Sequence, residues 1–224
     1  MGTIVKICGL RTVAHALAAV EAGADMLGLI FAPARRQVEP AQAAAIAAEV
    51  RAFCLQRRSS ERIQLVGVFV NEQPDRMLAL AHECDLDILQ LSGDEDVLMA
   101  HDLLLHYPII KAVRFRGTRE EQDWIAATSH PRLRLLVEAH TVGTYGGTGI
   151  LADWKQATAL ARHHKIMLAG GLNPLNIAEA IRSVQPWGVD VSSGVETDGV
   201  KDIVKIRAFV DAVHLGESRA GELG

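Results

Sequence analysis

Short apolar runs alternate with amphipathic stretches eight times along this chain, which narrows the available folds more than any other feature. The strand candidates are TIVKICG, DMLGLIF, IQLVGVFV, DILQLS, IIKAVRF, LRLLVEAH, KIMLAGG and GVDVSSG. Between and after them lie helical segments at 12–22, 40–57, 74–84, 96–106, 119–128, 151–163, 174–185 and 200–214. Their apolar residues recur at three- and four-residue spacing, as in Val13, Leu17 and Val20. LVGVFV and IMLA are apolar on both faces, as strands covered on both sides must be. Strand alternating with helix predicts parallel βαβ units. Eight units in 224 residues favour one closed (β/α)8 TIM barrel over an open sheet. The barrel is expected over 1–215, with a frayed tail over 216–224 that has lost periodicity. QRRSSER (56–62) precedes the third strand and is expected to be a solvated loop on the face opposite the site.

Composition sets the partners. With 49% hydrophobic residues the chain can build a sizeable core. A formal charge of −4 and a pI near 6.1 give no global attraction for nucleic acid or an acidic membrane. An anionic ligand would have to be drawn by local groups. Cys8, Cys54 and Cys84 have no paired metal-ligand spacing, so neither a disulfide framework nor a metal site is expected. No basic leader and no apolar run of membrane-spanning length is found, and a soluble, cytoplasmic protein is expected.

In such a barrel the site forms at the C-terminal ends of the strands. That rule admits Cys8, Arg36, Gln90, Asp94, Arg114, Glu138 and three glycine-bearing runs. It rejects His163 and His164, which precede the seventh strand. Gly146-Gly147-Thr148-Gly149, Gly170-Gly171 and Ser192-Ser193-Gly194 follow or end strands six, seven and eight. Main-chain amides approach an oxyanion closely where side chains are absent. Three such runs on one rim favour phosphate binding over simple chain turning.

Cys8 closes strand one and fits either a catalytic base or a small buried hydrophobe. Glu138 interrupts an apolar strand near its end. Because Leu135 and Val137 suit contact with helices, parity turns Glu138 inward. A buried carboxylate is costly unless paired or neutralised, so proton transfer is favoured over a structural ion pair. Arg35 and Arg36 follow strand two, and one of them is expected to hold an anionic group with its fork. Lys6 and Asp190 lie on strands that become neighbours on closure and are expected to pair.

At these residues the chain resembles the phosphoribosylanthranilate isomerases of tryptophan biosynthesis along nearly its whole length. The resemblance is carried by Lys6-Ile7-Cys8-Gly9, Gly28-Leu29-Ile30-Phe31 with Arg36, and Gly67-Val68-Phe69. It continues through Gln90-Leu91 with Gly93-Asp94-Glu95, Tyr145-Gly146-Gly147-Thr148-Gly149 with Trp154, Leu168-Ala169-Gly170-Gly171-Leu172 and Asp190-Val191-Ser192-Ser193-Gly194-Val195-Glu196. It implies a cofactor-free Amadori rearrangement of a small phosphorylated sugar–anthranilate substrate, by a monomer or homodimer. It implies Cys8 as base, Glu138 at the general-acid position and Arg36 as holder of the anthranilate carboxylate. Gln90, Asp94, Gly147, Gly149, Gly170, Gly171, Ser192, Ser193 and Gly194 would contact substrate.

Three positions depart from the family pattern. Glu138 stands where the family has aspartate; one methylene moves the carboxyl by about 1.5 Å, and a misplacement near 1 Å can cost on the order of 100-fold in rate. Ser92 stands in place of histidine, and Ala34-Arg35 in place of Ser-Pro. The first motivates an alternative, a phosphate-ligand-binding barrel with weak or no turnover. The related isomerase of histidine biosynthesis is disfavoured, because strand one ends in Cys8 and IIKAVRF has no carboxylate.

Overall fold

The computed structural model describes residues 2–57, 63–114, 118–138 and 154–220. Eight parallel strands close in chain order: β1 (Ile4–Cys8), β2 (Met26–Ile30), β3 (Gln64–Phe69), β4 (Ile88–Leu91), β5 (Ile109–Val113), β6 (Leu133–Glu138), β7 (Ile166–Ala169) and β8 (Gly188–Val191). They are joined by α1 (Val13–Ala22), α2 (Pro40–Gln56), α3 (Pro74–Glu83), α4 (Val97–Leu104), α5 (Arg119–Ala127), α6 (Trp154–Ala161) and α7 (Ile177–Val184). The expected (β/α)8 barrel is present. QRRSSER lies almost wholly outside the described residues.

Helix boundaries follow local chemistry. Thr12 caps α1 by accepting from the His15 amide, and Gly23 ends it at φ 100°, a conformation that glycine adopts without a Cβ penalty. Asp96 caps α4, while Thr118 and Glu121 form a reciprocal capping box on α5. On α7, Ile177, Ala180, Ile181 and Val184 form the buried face, at the three- and four-residue spacing of one helix side.

The C-terminal segment differs from expectation. Residues expected to begin a helix at 200 instead form a two-stranded ribbon, β9 (Glu196–Thr197) with β10 (Val200–Lys201). Asp198 and Gly199 turn it, both at positive φ (51° and 79°), as a tight hairpin requires. The helix α8 then spans Ile203–Ala220. The tail expected to fray from 216 is therefore helical through 220.

Closure divides each strand by parity. The pairs Val66↔Ile88, Ala112↔Leu136, Leu136↔Met167 and Lys6↔Met26 set the side chains that fill the barrel. Met26, Val66, Ile88, Ile110, Leu136 and Met167 form that interior cluster. The alternate residues, among them Val5, Ile7, Leu27, Leu89, Leu135 and Val189, pack against the helices in the larger core. No helix among the described residues is long and apolar enough to cross a membrane.

One buried charge pair sits outside the barrel wall. Lys111 projects outward from β5 and meets Glu95 at 2.7 Å, with both side chains at least 97% buried. Glu95 also accepts from the Asn71 and Gly93 amides, and Lys111 donates to the Gly93 carbonyl at 2.6 Å. The pair thus ties the loops after β3 and β4 to β5. Removing one partner strands a buried charge, which costs about 3–5 kcal/mol. Glu95→Ala should lose stability of that order in urea unfolding monitored by circular dichroism.

Candidate active site

Cys8, Gln90, Glu138 and Ser192 all arrive at the same end of the barrel. Cys8 ends β1 facing inward, two residues above Lys6. Its neighbour across the wall is Gly28, where a Cβ would come within 2.8 Å of the Cys8 Sγ. That glycine makes room for the thiol. Glu138 ends β6 beside Ala169 of β7, so the expected inward parity holds. Ala169 and Gly28 leave the mouth free of bulk on both sides.

Glu138 does not stand alone. Its carboxylate accepts from the Arg114 Nε at 2.7 Å, and the arginine is held above its usual pKa chiefly by that bond. The register pair Val113↔Val137 brings the two residues side by side. The ion-pair alternative weighed for Glu138 is therefore realised, though with a partner at the exposed rim rather than a buried base.

Below the mouth, Lys6 and Asp190 pair at 2.8 Å as expected, with Lys6 fully buried. Burial opposes the Lys6 charge, but Asp190 and Cys8 outweigh it and hold Lys6 above its ordinary pKa. Burial pushes the Cys8 thiol above its ordinary value. Lys6 acts against that rise, Asp190 adds to it, and Lys201 opposes it again. The thiolate therefore depends on the surrounding cations.

Arg36 is anchored by a residue that was not expected at the site. Glu196, from β9, accepts from its Nε at 2.6 Å and Nη2 at 2.8 Å. Arg35 Nη2 adds a bond at 2.9 Å and Lys201 Nζ another at 2.7 Å. Burial raises the Glu196 pKa, but the bonds from Arg36 and Lys201 overcome it and bring it down to about 2. A guanidinium carries five N–H donors. Glu196 takes two, from Nε and Nη2 along one edge, and leaves the outer Nη1/Nη2 edge for an anion. Gly9, at φ 77°, lets Arg36 lie across the end of β1, since a Cβ there would meet the Arg36 Cδ at 2.6 Å.

The sequence signal for this anchor was slight. Glu196 sits in the quoted strand-eight motif, but its arginine lies 160 residues away. The turn pair Asp198-Gly199 could have exposed the ribbon that presents Glu196 and Lys201 together.

The glycine rims behave unequally. Gly170 and Gly171 have φ 92° and 67°, and the Cβ direction at Gly171 is open space. At Gly194 a Cβ would fall 1.9 Å from the Leu172 carbonyl oxygen, so the loops after β7 and β8 touch backbone to backbone. Ser193 is exposed, and the Ser192 Oγ lies 3.3 Å from the Lys201 Nζ. Gly147 and Gly149 lie outside the described residues.

Gln90 is 5% exposed and faces the interior, with its Nε2 donating to the Ser92 Oγ at 3.0 Å. Its Oε1 is buried without a partner among the described residues, an acceptor suited to a ligand donor. Asp94 is exposed, and its amide donates to the Asn71 Oδ1. Ser92, Asp94 and Arg114 line a cavity of about 130 Å3 whose walls do not include Cys8. Among the described residues no group of three His, Cys, Asp or Glu side chains is placed to hold a metal ion.

An inward thiol, a carboxyl on a facing strand and an anchored guanidinium share one mouth with two glycine-bearing loops. Over residues 5–212 the chain matches the family described as N-(5'-phosphoribosyl)anthranilate (PRA) isomerase. It belongs to that family. A relative from Roseiflexus sp. (strain RS-1), named N-(5'-phosphoribosyl)anthranilate isomerase, is 56% identical over 208 residues, spanning 93% of this chain and 96% of the relative. The phosphoribosylanthranilate isomerase of Thermotoga maritima, a crystal structure, superposes with a TM-score of 0.78 at 34% identity. That match covers 95% of this chain and 98% of the other. A phosphoribosyl anthranilate isomerase structure solved with reduced 1-(o-carboxyphenylamino)-1-deoxyribulose 5-phosphate gives a TM-score of 0.75 at 33% identity, covering 95% and 98% of the two chains.

The Glu196 cluster makes a pH prediction. A carboxylate at about 2 in the fold, against an ordinary 4.5, stabilises the native state fully above pH 4.5. The contribution is lost as pH falls toward 2. Melting temperatures followed by circular dichroism should show this acid loss in the wild type. Glu196→Gln should be less stable at neutral pH and flatter between those limits.

Proposed function

We propose that this chain isomerises N-(5'-phosphoribosyl)anthranilate to 1-(2-carboxyphenylamino)-1-deoxyribulose 5-phosphate, a step of tryptophan biosynthesis, in the cytoplasm. The observation that carries the residue roles is the parity-imposed convergence of Cys8 and Glu138 on one mouth, with Arg36 held beside Cys8.

In this reading the phosphate sits against the loops around Gly170-Gly171 and Ser192-Ser193-Gly194. The Arg36 terminal nitrogens take the anthranilate carboxylate while Glu196 fixes the other edge of the fork. Glu138, in its acid form, gives a proton to the furanose ring oxygen. The C1–O bond breaks and the nitrogen lone pair forms an iminium at C1. The Cys8 thiolate removes the proton on C2, and that electron pair neutralises the iminium as an enolamine. Protonation at C1 and formation of the C2 carbonyl complete the exchange. One carbon is oxidised and its neighbour reduced, so no external electron acceptor enters. The Gln90 Oε1 serves as an acceptor for a substrate hydroxyl or amine.

General acid and base groups each contribute about 10²–10⁴-fold. Cys8→Ala and Glu138→Gln should each lower kcat by that order, measured by loss of substrate fluorescence. Glu138→Asp should also be slower, by up to about 100-fold, because the mouth is fitted to the longer side chain. A wild type no faster than Cys8→Ala and Glu138→Gln would overturn the proposal.

A further inference from the structure

Lys201 is a buried ammonium that the mechanism above leaves unused. Its side chain is 3% exposed, and it comes from β10, outside the barrel strands. An ammonium has three donors. Here three acceptors meet them: Glu196 Oε1 at 2.7 Å, the Ser192 carbonyl at 2.9 Å and the Ser192 Oγ at 3.3 Å. No donor remains for a substrate, so any effect of Lys201 on the reaction passes through other residues.

Those residues surround the base. The register Lys6↔Asp190 and Ile7↔Val191 continues to Cys8 beside Ser192. The Ser192 Oγ lies 3.2 Å from the Cβ position of Gly9, which follows Cys8. Lys6 from β1, Asp190 from β8, Arg36 from the loop after β2 and Lys201 from β10 act on this thiol, and Glu196 from β9 holds the last two. Lys6 and Asp190 pair at 2.8 Å, and Lys6 acts on Cys8 more strongly than Asp190 does. Among the described residues the rest do not balance, because Glu196 faces the cations of Arg36 and Lys201 and of the neighbouring Arg35. Arg35 and Arg36 are at least partly solvent-exposed, whereas Lys201 is enclosed, so its field reaches Cys8 with less screening.

We propose that Lys201 is a positioning residue for the isomerisation, whose enclosed charge, fixed between Ser192 and Glu196, supports the thiolate form of Cys8. This rests on Cys8 being the base. Burial and Cys8 itself act on Lys201 in opposite directions: burial lowers its pKa most, while Glu196 and then Cys8 raise it. The ammonium and the thiolate therefore stabilise each other. When Cys8 takes the C2 proton its charge is discharged, and Lys201 keeps Glu196 as its counterion in the presence of Arg36.

The test separates this role from the isomerase reading by using the free protein. The rate of Cys8 carboxamidomethylation by iodoacetamide is followed against pH, with peptide mass spectrometry distinguishing Cys8 from Cys54 and Cys84. Lys201→Met should move the Cys8 curve to higher pH by about one unit, roughly a tenfold slower reaction at fixed lower pH. Lys201→Arg should restore most of that rate. Glu196→Gln adds one positive charge to the cluster and should shift the curve the other way. It also keeps the proposal testable if Lys201→Met does not fold. In turnover, Lys201→Met should lower kcat about tenfold with KM changed less than about threefold. Superimposable alkylation curves for wild type and Lys201→Met, or for wild type and Glu196→Gln, would overturn the proposal. So would a raised KM at unchanged kcat. The stated alkylation shift in Lys201→Met, together with a wild type that shows no turnover, would instead overturn the isomerase reading alone.

Discussion

Closing eight strands into one ring forces every second side chain into a space that only the ring's ends open to solvent. The functional groups depend on that constraint. Met26, Val66, Ile88, Ile110, Leu136 and Met167 fill the interior, so polar inward residues collect toward the mouth. Cys8, Gln90, Glu138 and Ser192 are the inward residues there, contributed by four different strands or their ends. A slip of one residue in any register would turn that residue toward the helices. The fine geometry of the site is thus set by apolar packing several ångströms below it.

Charge is handled differently at each depth. Away from the mouth, buried ions occur as matched pairs, Lys6 with Asp190 inside the barrel and Lys111 with Glu95 outside it. The second is held in dense hydrogen bonding, which offsets part of the cost of burying the charges. At the mouth the balance changes, with three cations gathered on Glu196. An acidic protein thereby presents a local positive excess where an anionic ligand and an ionised thiol would sit. The overall charge of −4 gives no hint of it. Glu196 is an organiser in this arrangement: it holds Arg36 along one edge and leaves the other edge free.

Most of the fold could be read from periodicity, because parallel strands covered on both faces are apolar throughout and their helices keep one apolar stripe. Glu138 was legible for a related reason, since Leu135 and Val137 take the helix-facing side of its strand and leave a charge near its end only the other side. The ribbon from Glu196 to Lys201 was not read. Two-residue strands carry no periodic signal, and the apolar residues of the following helix begin close enough to absorb them. Asp198-Gly199 was the local sign of a turn. The partnership of Arg36 with Glu196 could not be read at all, because it is created by closure across 160 residues. Likewise the partner of Glu138 is set by the β5–β6 register, which only the folded barrel displays.

The glutamate at the acid position is best understood with Arg114. A longer side chain has one more rotatable bond, and without a partner it would sample several positions over the mouth. The Nε bond at 2.7 Å removes much of that freedom. It also places a guanidinium beside the carboxylate that would be left after a proton has been given to the ring oxygen. A binding barrel without chemistry would need neither a thiol surrounded by cations nor a carboxyl held on the facing strand. In the proposed reaction the added methylene would therefore come with its own counterion, in a chain that matches its family over residues 5–212.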